Sequence, residues 1–131
     1  MIGLDSNIIV RAITGDDPVQ SPLAQSFLAT LSSNRPGVIN PIVFVETAWT
    51  LRGRHKYRRL EILDHIERFM DSSAYRIVDR DAVSEALEIS RQHSIEFADA
   101  LIAEINRLAG CMMTMTFDEG VIHVPCFTRL Q

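Results

Sequence analysis

An α/β domain with a mostly parallel central sheet is the fold this sequence predicts, and three observations predict it. Short apolar runs alternate along the chain with amphipathic helical segments. Proline and glycine stand where those segments should start or stop. The chain is 131 residues long, a single-domain length that buries roughly two-thirds of its unfolded surface, so one domain over residues 1–131 is expected.

Residues 2–5 form an apolar run that stops at Asp5 and reads as a short buried strand, with a helix over 7–14 after it. GDDP at 15–18 is a turn. SPLAQSFLATL at 21–31 reads as a helix with Ser21 as cap and Pro22 at the first helical position, broken by NRPG. VIN at 38–40 is a short strand. NPIVFVETAWTLR repeats the cap-then-proline pattern and predicts a helix over 41–53. A helix over 60–71 places Ile62, Leu63, Ile66, Phe69 and Met70 on one face. A strand at 75–79 and helices over 80–93 and 96–109 follow, the last stopped by Gly110. CMMTMTF at 111–117 reads as a strand, and HVPCFTRL holds a last short one.

Composition excludes several classes. Hydrophobic content of 47% with 23% charged residues suits a water-soluble globular protein, and no apolar run approaches the roughly 20 residues that span a membrane. Asp5 interrupts the N-terminal apolar run, so a signal peptide is not expected. Cys111 and Cys126 make neither a disulfide framework nor a zinc site and read as reduced thiols, which predicts a cytoplasmic protein. The net charge of −4 argues weakly against nucleic acid as a partner. The distribution argues otherwise. RGRHKYRR, residues 52–59, holds Arg52, Arg54, Lys56, Arg58 and Arg59, five of the thirteen basic residues and the only lysine. It is either a solvated inter-helix loop or a phosphate-contacting patch.

Four acids carry the chemistry. On a helix, Glu46 has Ile42, Val43 and Trp49 as neighbours. That puts it within or beside an apolar stripe, where it needs an arginine, a proton or a metal ion. Asp99 lies in the first turn of its helix, where the helix dipole alone could explain it. Asp118 follows a strand next to a glycine, which is also turn chemistry. Asp5 could be a helix cap. Asp5 and Asp118 each lie at or just past the carboxyl end of a strand, where ligands bind in parallel sheets. As bare anions the four could not share a site, because like charges at close range favour protonation. A divalent cation removes the conflict, and all-oxygen ligation selects Mg²⁺ or Mn²⁺ over zinc. No Ser–His or Cys–His nucleophile pattern competes, and His55, His65, His93 and His123 are scattered.

MIGLDSN, NPIVFVETAWTLR, FADALIAEI and MTFDEG, in this order, resemble the PIN-domain ribonucleases, specifically the VapC-type toxins of bacterial toxin–antitoxin pairs. The resemblance implies an α/β/α sandwich around a parallel sheet and Mg²⁺- or Mn²⁺-dependent endonucleolytic cleavage of RNA, often tRNA or rRNA. By position it makes Asp5, Glu46, Asp99 and Asp118 the metal-binding acids, with Ser6, Asn7 and Thr116 in supporting places and Glu96 as an auxiliary acid. It implies a homodimer and a small antitoxin covering the site, with DNA contacted only through the antitoxin complex. Where many relatives have a basic residue after the last acid, this chain has Glu119, which shifts phosphate contacts toward the basic loop at 52–59. Two other readings use the same residues. A phosphatase with Asp5 as covalent nucleophile wants an acid where Asn7 stands and a lysine after residue 56, and a phosphorylated receiver domain wants the same late lysine. A PIN-like module that binds RNA or partners without chemistry remains the alternative that Glu119 favours.

Overall fold

The computed structural model describes Met1–Gln131. The chain forms two compact units, Met1–Asp79 and Arg80–Gln131.

The first unit holds strands β1 (Ile2–Gly3), β2 (Gly37–Ile39) and β3 (Tyr75–Ile77) and helices α1 (Ser6–Thr14), α2 (Gln20–Leu28), α3 (Pro41–Gly53) and α4 (Arg59–Asp71). Its sheet runs β1-β2-β3, parallel throughout, with Ile2 opposite Gly37 and Val38 opposite Arg76. Parallel neighbours need a crossover, and the helix pairs α1–α2 and α3–α4 supply one each. Leu4, Ile9, Ile39, Phe44, Leu51, Leu63 and Ile66 form the heart of its core.

The second unit holds α5 (Arg80–His93), α6 (Phe97–Leu108), β4 (Thr114–Thr116) and β5 (Phe127–Arg129). Strands β4 and β5 pair parallel, Thr114 opposite Phe127. Helices α5 and α6 pack on one another, and Val83, Leu87, Phe97, Leu101 and Val124 are buried. Glu104 is buried too, 3% exposed, and tolerable there because Arg107 grips both its oxygens at 2.6 and 3.0 Å.

The α/β class and the parallel pairing agree with the sequence reading, and the pairing falls into a sheet of three and a sheet of two. Strands are shorter than the apolar runs that announce them. The run at 75–79 ends early because Asp79 adopts φ 52°, and residues 111–113 stay outside β4, following Gly110 at φ 99°. Asn40 caps α3 as expected, its side chain accepting from the Val43 N–H at 3.2 Å, with Pro41 first in the helix. The cap of α2 differs. Ser21 lies inside the helix and is buried; Asp17 does the capping, its carboxylate accepting from the N–H groups of Val19 and Gln20 at 2.9 and 2.7 Å. Pro18 directly after Asp17 lets the chain turn there, so the helix starts before Pro22.

Gly37 is fixed by space. A Cβ at this position would lie 2.8 Å from Leu31 Cδ1 and 2.9 Å from Leu4 Cδ1. Gly37→Ala is therefore expected to lower stability by about 1–3 kcal/mol through overpacking, measured by urea denaturation. Because Leu4 precedes Asp5, the same substitution presses on the strand end that carries that acid.

Candidate active site

Asp5 occupies the N-cap position of α1 with extended backbone, φ −93° and ψ 156°, yet its side chain makes no capping bond. Its carboxylate instead accepts from the Asn7 side-chain amide at 3.0 Å. Asp5 is thus exposed and held by Asn7 rather than consumed by the helix. Ser6, the first residue of α1, is buried.

Glu46 is a correction. Helix α3 buries Val43, Phe44, Thr47, Ala48 and Leu51. The face carrying Glu46 is open, with Ile42 69% and Trp49 63% exposed beside it. The helix is apolar nearly all round, so periodicity could not choose its buried face, and the carboxylate suffers no burial that demands a partner. Its candidacy rests on its place in the family pattern alone.

In the second unit Glu96 stands at the N-cap of α6 without a side-chain capping bond, and Asp99 lies in the first turn. A helix N-terminus would draw the Asp99 carboxyl toward lower pKa. It is nevertheless pushed above the ordinary carboxylate range, by partial burial first, then by the negative charges of Asp118 and Glu96. Helix-end electrostatics therefore loses at this residue. Asp118 sits just beyond β4, where the Thr116 hydroxyl accepts from its backbone N–H at 3.0 Å and its own Oδ1 accepts from the Gly120 N–H at 2.8 Å. One Asp118 oxygen thus holds the turn. Glu119 forms an ion pair with Arg129 at 2.9 Å, so the charge that departs from the family pattern is locally offset, weakly, as exposed pairs are.

The basic loop is anchored within the first unit. His55 Nδ1 lies 3.5 Å from Asp16, which also receives Arg11 at 3.3 Å and the Thr14 hydroxyl at 2.7 Å. The Thr14 hydroxyl first, then His55 and Arg11, hold the Asp16 carboxyl below its usual range. Arg52, Arg58 and Arg59 line one cavity of about 400 Å³ together with Glu61 and Asp64. Arg58 pairs with Glu61 at 3.1 Å, and Arg54 and Lys56 are exposed. The five basic residues therefore run from the end of α3 through the loop to the start of α4 and are not one uniform patch.

The donors suit a hard divalent cation: every one is a carboxylate, and a cation would relieve the repulsion at Asp99. No three His, Cys, Asp or Glu side chains lie close enough together to hold a metal ion. Mg²⁺ needs no such cage, since it takes one or two carboxylates and keeps several waters.

A family model for the PIN domain matches residues 2–125. The chain belongs to the PIN-domain family. PIN domains are a nuclease fold, typically metal-dependent. No curated protein matches the chain. The match runs through both compact units. No helix is long and apolar enough to cross a membrane.

The raised Asp99 carboxyl sets a pH dependence. The metal-free folded protein binds this proton more tightly than the unfolded chain does. The group's contribution to stability is therefore full below the ordinary carboxylate pKa and is lost as pH rises through the higher folded value. In EDTA, Asp99→Asn is expected to melt at the same temperature as wild type or higher at neutral pH, and to remove part of the wild type's decline above about pH 4. Added Mg²⁺ should raise the wild-type melting temperature more than that of Asp99→Asn.

Proposed function

We propose that this PIN domain is a Mg²⁺- or Mn²⁺-dependent endoribonuclease, the toxin of a type II toxin–antitoxin pair, which hydrolyses phosphodiester bonds in tRNA or rRNA. The observation that carries this is Asp99: a partly buried acid near Asp118 and Glu96, its carboxyl pushed up first by burial and then by their charges. A structural aspartate would be expected to gain an arginine or a capping bond instead.

In this reading Asp5, Glu46, Asp99 and Asp118 are the metal-binding acids of the family's pattern, one or two of them touching the ion and the others acting through its waters. The ion supplies a more acidic bound water and charge neutralisation at the scissile phosphate. The chain's own residues do the rest. Asn7 orients Asp5 through its amide. Thr116 fixes the backbone of Asp118 and so the direction of its carboxylate. Glu96 adds negative potential at Asp99. Arg52, Arg54, Lys56, Arg58 and Arg59 bind RNA phosphates through charge.

The partners follow from the same reading. The antitoxin is a separate DNA-binding protein, and DNA is contacted only through their complex. An apolar cavity of about 460 Å³ between α1 and α2, bounded by Asn7, Ile8, Leu23, Ala24 and Phe27 among others, gives its inhibitory segment a seat beside the residue that orients Asp5. Ile102, Ile105 and Leu108, exposed along α6, offer a homodimer apolar surface. The cytoplasm, where the RNA is, is the proposed compartment. The alternative of a binding module without chemistry draws on Glu119, and the Arg129 ion pair removes part of that support.

The test is cleavage of total bacterial RNA by purified, partner-free protein with Mg²⁺, Mn²⁺ or EDTA. Discrete fragments are expected with either metal and none with EDTA. Asp5→Asn should fold normally and lose roughly a hundredfold or more in rate, beyond what losing a supporting residue costs. Undiminished cleavage by that variant would contradict the assignment.

A further inference from the structure

A cavity of about 360 Å³ in the first unit is lined by Ala12 and Ile13 of α1, His65, Arg68 and Phe69 of α4, and Tyr75 of β3. None of these residues belongs to the acidic site or to the five basic residues of the loop. Its composition is unusual for a packing defect. Phe69 and Tyr75 meet edge to face, centroids 4.9 Å apart, and both remain half-buried rather than fully covered. Arg68 Nη1 donates to His65 Nδ1 at 3.1 Å, which leaves the imidazole neutral with its proton on Nε2. Three rings, one of them a phenol, and a guanidinium thus surround one space at the small end of ligand-pocket volumes.

One residue of the cavity wall also touches the basic loop. The His65 ring contacts the Tyr57 ring at 5.8 Å. Tyr57 lies within RGRHKYRR, and its backbone carbonyl accepts from Arg52. Arg58, the N-cap of α4, and His65 on that helix are seven residues apart, roughly 10 Å at the helical rise per residue.

We propose that this cavity receives one unstacked nucleobase of a single-stranded RNA whose phosphates follow the basic loop, making it a base subsite distinct from the acidic centre. The inference rests on the RNA-binding part of the proposed function. Rings and arginine planes are what unpaired bases stack on, and Tyr75, His65 and Arg68 bring donors suited to a base edge. A peptide could use the apolar lining, but it gains nothing from the adjoining run of cations unless it is itself acidic. The base satisfies both features with one chain.

The experiment measures binding in EDTA, so that no cleavage intervenes. The probes are a fluorescein-labelled 12-nucleotide single-stranded RNA and a ribose–phosphate strand of equal length without bases. Wild type should bind the base-containing strand more tightly. Phe69→Leu and Arg68→Gln, each checked for folding by circular dichroism, should weaken that strand by about tenfold and leave the baseless strand unchanged. Arg54→Gln should weaken both strands alike. Unchanged binding by folded Arg68→Gln and Phe69→Leu, with the Arg54→Gln effect intact, overturns the base subsite and leaves the nuclease reading standing. Wild type that binds neither strand overturns the subsite and the RNA-binding role of the loop together. Sedimentation showing that Phe69→Leu breaks a dimer while RNA binding holds would assign the cavity to a second copy, against the proposal.

Discussion

A carboxylate that the fold keeps partly out of water, beside two others, is the constraint on which the proposed chemistry rests. Asp99 is placed by α6, Glu96 by that helix's cap and Asp118 by the turn after β4. Neither the helix dipole nor a basic neighbour relieves it, and its carboxyl is pushed up as a result. Charges so arranged lower stability until something positive arrives. In the proposed function a divalent cation relieves that strain, the kind of ion that all-oxygen donors favour.

The first unit prepares its acid differently. Short parallel strands deliver Asp5 at a strand end, and close packing of Gly37 against Leu4 and Leu31 holds that strand in place. The aspartate then stands where a helix cap is expected and declines to cap, leaving its carboxylate to Asn7. Asp17 shows the contrast within the same unit: two backbone N–H groups occupy its carboxylate, and its pKa falls accordingly. Two aspartates at two helix starts therefore have opposite availability.

Much of this was legible in the sequence. Strand–helix alternation carried the α/β class, and the cap-then-proline pattern at Asn40 and Pro41 located α3. Asp5, Asp99 and Asp118 were legible because each sits where an apolar run ends or a helix begins. Glu46 was misjudged because α3 is apolar on most sides, and only packing decides which side faces inward. Ser21 was misjudged because serine before proline is a good cap locally, while Asp17 four residues earlier offers two bonds. The paired Glu104 and Arg107 carry no mark in the sequence beyond i,i+3 spacing. The cavity at His65, Arg68 and Tyr75 carries less still, since α4 and β3 are brought together only by the fold.

The proposal on which this account turns is that Asp5 and Asp99 are both metal-binding acids. Manganese binding, followed by electron paramagnetic resonance as Mn²⁺ is titrated into wild type, Asp5→Asn and Asp99→Asn, tests it most directly and without reference to activity. The proposal requires that each single variant weaken manganese binding. Binding that falls in one variant and is untouched in the other, or that neither alters, would contradict it.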